Sequence, residues 1–222
     1  MNDVGSDVWG DRADAYRAST THANDADLDV VVEMCNPHAG VKALDVATGG
    51  GHVARRLRDE GAEVVTTDAS PGMKPDVVCR AEDLPFADGS FDVVVTRIAP
   101  HHFESIGAAV GEMARVSNAV LVVEDTEYTA EEVEQAEKLR DPTHVRSYSE
   151  EEWRDLLESA GLEVERVERF QKTHDFDDWL ARCDCVGAEA ERVRELLAPW
   201  SSDDGATWSD TKLIVKARKS QA

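Results

Sequence analysis

The stretch Val41 to Ala54 (VKALDVATGGGHVA) constrains the fold of this chain more than any other. Val41, Ala43, Leu44 and Val46 read as a buried strand carrying one acid, Asp45. The run then breaks into Thr48-Gly49-Gly50-Gly51 and resumes with helical spacing at His52. Glycine suits such a turn because a Cβ would stop the backbone from folding tightly and would hold a ligand away from the helix amides. A strand, a glycine turn and a helix start predict an α/β fold with a nucleotide-like cofactor in the turn.

The spacing of the remaining segments extends this to a doubly wound sheet. A helix from His52 to Glu60 ends at Gly61 and is followed by a strand, Glu63 to Thr67. That strand runs into Asp68, 17 residues beyond Gly51. An acid there is placed to accept hydrogen bonds from both hydroxyls of a ribose, the lesser alternative being an N-cap ahead of Ser70-Pro71. Further strands are expected at Asp76 to Cys79, Val93 to Ile98, Val120 to Glu124, Leu162 to Phe170 and Lys212 to Lys216. Only Ala69 to Pro75 separate Asp68 from the third strand, whereas a crossover between parallel strands takes a dozen residues or more. Either the crossover is an extended loop carrying Met73, or residues of a longer chain belong there.

Helices are expected at Leu28 to Cys35, ended by Asn36-Pro37, and at Glu104 to Val116. Thr129 with Glu132, and Ser149 with Glu152, read as capping boxes that start two more, and two short helices lie around Trp179 and Val193. Trp9, Ala13, Tyr16 and Ser19 share one face of an N-terminal helix. Tyr16 on that face is either core or a cover over the mouth of the site. A single domain is expected, with residues 1–40 as a helical cap, 41–125 as the cofactor-binding core and 126–222 as a helical insertion and closing strands.

Charge narrows the partners. The chain has 46 Asp plus Glu against 24 Lys plus Arg, a formal net charge of −22, which disfavours a phosphate-backbone ligand. The acids are spread along the chain, and such a surface repels itself unless ions screen it, so stability that rises with salt is expected of a halophilic protein. No secretory signal, membrane-length apolar run or Cys-x-x-Cys pair is evident, which predicts a reducing, cytoplasmic setting away from membranes. Cys183 and Cys185 lie too close together for half of a structural zinc site, and no metal is expected.

Gly49-x-Gly51-x-x-Ala54 formally satisfies the dinucleotide pattern, so a nicotinamide or flavin oxidoreductase is one reading. The neighbouring charges favour another. Asp45, Asp68 and Glu82 fall on adjacent strand ends, where a pyrophosphate would suffer repulsion. S-adenosylmethionine has no phosphate and carries a sulfonium and an ammonium that acids favour.

LDVATGGGH, TTDAS and AEDLPFADGSFDVVVTRIAPHHF, in that order, resemble the successive motifs of class I S-adenosylmethionine-dependent methyltransferases. They resemble in particular the small-molecule type related to the ubiquinone and menaquinone C-methyltransferases. ADAYRAS ahead of the core and DPTHVRSYSEEEW after it are also similar to segments of this group. The resemblance implies a Rossmann-like, mostly parallel seven-stranded sheet with an antiparallel last strand and helices on both faces. It also implies that Asp45, Ala47, Thr48, Gly49 and Gly51 line the methionine end of S-adenosyl-L-methionine, with Tyr16 over its carboxylate. Asp68 would bind the ribose, Ala69 and Met73 would flank the adenine, Ala81 and Glu82 would lie at its edge, and the Arg97 carbonyl would face its amino group.

Three departures stand out. Ala47 replaces a common Gly, Arg80 replaces an Asp that often contacts the adenine amine, and the helix after Met73 and the Lys-Pro-Gly-Gly-like turn before the fifth strand are missing. Methyl transfer from a sulfonium is an in-line displacement that rests largely on positioning. A base is useful for some acceptors, and His101 and His102 stand at a strand exit facing the crevice, with His102 favoured. His144 and Arg146 are candidates to bind a polar small-molecule acceptor. A non-catalytic S-adenosylmethionine-binding protein is a further reading.

Overall fold

The computed structural model describes residues 26–219 together with Gly10. The N-terminal helix expected around Tyr16 lies outside the described residues. Seven strands form one sheet: β1 (Lys42–Val46), β2 (Glu63–Asp68), β3 (Val77–Val78), β4 (Phe91–Arg97), β5 (Ser117–Thr126), β6 (Leu162–Asp175) and β7 (Thr207–Lys219). Their order is β3-β2-β1-β4-β5-β7-β6. The first five pair in parallel, and β7 runs antiparallel to both β5 and β6. This is the doubly wound sheet with an antiparallel last strand that the sequence implies.

Both faces of the central strands are buried, which is why they read as continuous apolar runs. Leu44, Val46, Val94, Leu121 and Val123 face helices α3 (Ile106–Val116) and α5 (Glu150–Ser159), which supply Val110, Met113, Trp153 and Leu157 to the same core. Ala43, Val93, Val95 and Val122 point the other way. They meet Leu28 and Val31 of α1 (Ala26–Cys35), and Val53 and Leu57 of α2 (His52–Asp59). A third cluster lies beyond the sheet, where α4 (Glu131–Arg140), α6 (Phe176–Ala181) and α7 (Gly187–Leu197) gather around Trp179 and Trp208.

The short connection after Asp68 closes without a helix. A single 3-10 turn, Pro71–Met73, leads to a two-residue β3 that pairs only with Thr67 and Asp68 at the end of β2. The chain therefore retraces two residues, about 7 Å, instead of a full strand. Asp76 pins the return by accepting from Thr66 N (2.9 Å), Thr66 Oγ1 (2.8 Å) and Arg58 Nη2 (3.2 Å).

Two expectations about the second half need correction. The helix α4 begins at Glu131 behind Ala130, with no side-chain cap, so Thr129 and Glu132 do not form a capping box. Tyr128 N donates to Tyr148 O (3.0 Å), and this pairing keeps the chain extended past Thr129. The Ser149 and Glu152 capping box does start α5. The strands β6 and β7 extend well past Leu162 to Phe170 and Lys212 to Lys216, because they pair as far as Asp175 and Thr207 in one long ladder. The polar residues of that extension carry no apolar alternation, and only the partner strand makes them extended.

Candidate active site

The chain switches sides of the sheet between β1 and β4, the place where open α/β sheets bind ligands. A cavity of about 420 Å³ opens there. The turn after β1 has positive φ at Ala47 (55°), Gly49 (51°) and Gly51 (72°), and closes with Gly51 N donating to Thr48 O (2.9 Å). A Cβ placed on Gly49 or Gly51 would meet no atom within 4 Å, so the space beside the turn is open for a ligand.

Asp45 anchors this turn from below. Its Oδ2 accepts from Thr48 Oγ1 (2.6 Å) and Ala54 N (3.2 Å). Burial pushes its pKa up to about 6, the Asp68 charge adds to the rise, and the Thr48 and Ala54 hydrogen bonds oppose it. A carboxylate so placed is stabilised by an incoming cation. Asp68 closes the opposite side, accepting from Gly49 N (2.9 Å) through Oδ2 and Ser70 N (2.9 Å) through Oδ1. Asp68 thus stands at the crevice and also closes the bend at Ser70, while the 3-10 turn Pro71–Met73 has Ser70 at its N-cap and no side-chain cap.

The cavity gathers most of the sequence-predicted cofactor residues. Asp45, Ala47, Thr48 and Gly49 line one end, and Asp68, Ala69, Met73, Ala81 and Glu82 the other, with Arg97 between them. Gly51 shapes the turn without lining the cavity, and Tyr16 lies outside the described residues. Arg80 also lines it, 3.5 Å from Glu82 and 3.0 Å from Glu104. The Arg97 guanidinium is engaged elsewhere, at 2.7 Å from Asp27 and 2.6 Å from Glu124.

Ile98, which the sequence does not mark, takes φ 51°, an uncommon conformation for a β-branched residue. Ile98 N donates to Glu124 O (2.8 Å), which holds the sharp exit from β4 and aims the turn Pro100–His102 at the cavity.

The two histidines of that turn separate. His102 lines the cavity, whereas His101 turns away to Asp125, with Nδ1 2.5 Å from Oδ1. Burial opposes protonation of His101, but the Asp125 carboxylate outweighs it and raises the pKa. Burial, then the neighbouring His101, holds His102 well below the ordinary histidine range, so it is neutral at pH 7. Its Nδ1 lies 3.0 Å from the Thr143 carbonyl. A carbonyl only accepts, so Nδ1 carries the hydrogen and Nε2 is the basic nitrogen.

The loop after α4 docks on this turn, with Val145 N (2.8 Å) and Arg146 N (3.1 Å) both donating to His101 O. It presents Thr143 and Val145 to the cavity, two residues that sequence reasoning missed. The structure does not bring His144 and Arg146 there. His144 is buried against Glu134 (3.2 Å), and Arg146 pairs with Glu152 and lies over the Tyr148 ring. Alternate residues of the loop face opposite ways, and composition carries no sign of which set faces in.

Among the described residues, no group of three or more His, Cys, Asp or Glu is placed to hold a metal, and no helix is long and apolar enough to cross a membrane.

Comparison with known proteins agrees with this geometry. The methyltransferase domain model matches residues 44–120, from the middle of β1 into β5. YafE of Escherichia coli, an uncharacterized protein, is 35% identical over 152 residues, covering 64% of this chain and 73% of its own. The uncharacterized methyltransferase YcgJ of Bacillus subtilis is 28% identical over 209 residues, 83% of this chain and 81% of that one. The solved YcgJ structure superposes with a TM-score of 0.81 at 22% identity, over 88% and 98% of the two chains. A demethylmenaquinone methyltransferase of Beutenbergia cavernae is 39% identical over 88 residues, 35% of this chain and 37% of its own. The chain belongs to the class I S-adenosylmethionine-dependent methyltransferases, in the family of the methyltransferase domain that spans its glycine turn.

Proposed function

We propose that this protein moves a methyl group from S-adenosylmethionine to a small-molecule acceptor in the cytoplasm. The observation that carries the proposal is the lining of the glycine crevice by Asp45, Asp68 and Glu82, with the Arg97 guanidinium engaged elsewhere. Such a crevice disfavours the pyrophosphate of a nicotinamide cofactor and suits a cationic nucleoside. Bound there, S-adenosylmethionine would supply a methyl group on a positively charged sulfur, a leaving group that is already activated.

The residues present fit that ligand. Asp45 would hold its ammonium, the open side of Gly49 and Gly51 its methionine end, Asp68 its ribose, and Ala69, Met73, Ala81 and Glu82 its adenine. The backbone of Arg97 would face the adenine amino group. His102, neutral with a basic Nε2, would accept a proton from an oxygen, nitrogen or acidic carbon of the acceptor.

Calorimetry with S-adenosylhomocysteine and NAD tests this reading. We expect saturable heat from the first and none from the second, and loss of that heat in Asp68→Ala. Binding of NAD alone would refute it. Transfer of a labelled methyl group to any of a panel of small molecules separates an enzyme from a protein that only binds the cofactor.

A further inference from the structure

Neither Asp125 nor His101 lines the large cavity, yet the His101 ring lies against that of His102, which does, with centroids 4.0 Å apart. Asp125 is 1% exposed and belongs to β5, the strand beside the one that leads into the histidine turn. Its Oδ1 meets His101 Nδ1 at 2.5 Å, and its Oδ2 has no hydrogen-bond partner among the described residues. A buried carboxylate with one hydrogen-bonded partner holds that partner in its charged form.

The other charges around the pair largely cancel one another. Both histidines line a second space of about 80 Å³, whose wall carries four bases and three acids. Lys212 donates to Asp210 (2.7 Å), Arg140 lies 3.6 Å from Glu137, and Lys172 lies 3.3 Å from Asp27. Arg182 is the fourth base and Asp141 the third acid, and His174 sits 3.1 Å from Asp210. Among them Glu137 favours the charged form of His101 and Lys212 opposes it, both less strongly than Asp125 acts. Asp141 favours the charged form of His102, and His144, with its ring 6.5 Å away, opposes it. His101 acts on His102 more strongly than either.

His101 also fixes the aim of its neighbour. Its carbonyl accepts from Val145 N (2.8 Å) and Arg146 N (3.1 Å), and the loop held in this way presents the Thr143 carbonyl to His102 Nδ1 at 3.0 Å.

We propose that Asp125 and His101 are positioning residues for methyl transfer: Asp125 keeps a positive charge on His101, and that charge, at ring-contact distance, keeps His102 uncharged as the base of the cavity. The words methyl transfer and base rest on the reading above, whereas the charge arrangement stands on the contacts of the three side chains. Two cations at this spacing repel, so the charge is reserved for the ring outside the cavity. A neutral lining suits a cationic ligand, and a base without its proton is ready to act well into the acid range.

Taking away an acid ordinarily lowers the proton affinity of a nearby histidine. Here Asp125→Asn should raise that of His102, because His101 loses its charge as well. Nuclear magnetic resonance titration of the imidazole signals measures this, with S-adenosylhomocysteine calorimetry and labelled-methyl transfer run on the same samples. The wild type should show His101 charged and His102 neutral at pH 7. Asp125→Asn and His101→Gln should each raise the His102 midpoint by about one pH unit or more, the effect of one charge at about 4 Å, and move the acid limb of transfer upward with it. His101→Lys, which restores a positive charge at that place, should leave His102 low. A midpoint that stays or falls in Asp125→Asn would overturn the proposal, and so would a wild type with His102 charged. An equal rise in His101→Gln and His101→Lys would overturn it too, by showing that only the shape of the ring matters. The expected shifts without S-adenosylhomocysteine binding or methyl transfer would leave the charge arrangement standing and remove the methyl-transfer reading.

Discussion

Replacing Arg97 by methionine removes a guanidinium that lies between two buried carboxylates. The side chains of Arg97, Asp27 and Glu124 are 5%, 4% and 0% exposed, and the contacts are 2.7 Å to Asp27 and 2.6 Å to Glu124. Loss of one partner from a buried ion pair costs about 3 to 5 kcal/mol, because the remaining charge has no compensation. Two features place this case at the lower end. Burial pushes Glu124 up to about 8, against the Arg97 charge and with a further rise from Asp27, so it is already protonated at pH 7. Burial works against the Asp27 charge, but its hydrogen bond with Glu124 and the nearby Arg97 and Lys172 hold it well below the usual carboxylate range. Lys172 remains 3.3 Å from Asp27 after the substitution.

Arg97→Met should therefore lose about 3 kcal/mol at pH 7, whereas Glu124→Gln, which mimics the protonated acid, should lose under about 1 kcal/mol. The pH dependence follows from the same groups. Glu124 is raised in the folded protein from its ordinary 4.5 to about 8, so the folded state binds more protons than the unfolded state between those values. Its stabilising contribution is complete below 4.5 and disappears as pH rises through about 8. Asp27 acts in the opposite sense, and its contribution disappears only in strong acid. Urea unfolding followed by tryptophan fluorescence at pH 5.5 and pH 8 would measure both effects, with Glu124→Gln flattening the decline toward alkaline pH. A Glu124→Gln loss equal to that of Arg97→Met at pH 5.5 would refute the reading of Glu124 as a protonated acid.

Two further outcomes are expected. His102→Gln should leave S-adenosylhomocysteine affinity intact and lower methyl turnover by roughly 100-fold to 10,000-fold, read by labelled-methyl transfer; unchanged turnover would remove His102 from the mechanism. With a net charge of −22, the melting temperature should rise from low to molar sodium chloride, and a flat or falling curve would argue against a surface adapted to salt.

Much of the crevice was legible before the fold was known. Asp45 between apolar neighbours, the glycines after it and Asp68 at the end of the next strand are local backbone requirements. A turn with positive φ, a strand buried on both faces and an acid at a strand end each need particular residue types at particular offsets. The capping box at Ser149 was legible for the same reason, and the Thr129 box failed because a distant pairing with Tyr148 overrode a local preference. His102 could be placed at the mouth of the site, but its neutrality depends on how deeply the loop after α4 covers it.

The sequence by itself determined the order of strands and helices, the apolar faces that pack against one another and the chemical character of the glycine crevice. These are consequences of residue type repeated at short range. Only the tertiary structure decided that Thr143 and Val145 face the cavity in place of His144 and Arg146, and that His101 belongs to Asp125. It alone joined Arg97 to Asp27 and Glu124, and placed four bases and three acids around a second space behind His102. Those contacts bring together side chains from α1, β4, β5, α4, α6, β6 and β7, and they depend on strand register and helix docking. One residue of shift at β4 and β5 would separate Arg97 from Glu124 without changing any local pattern.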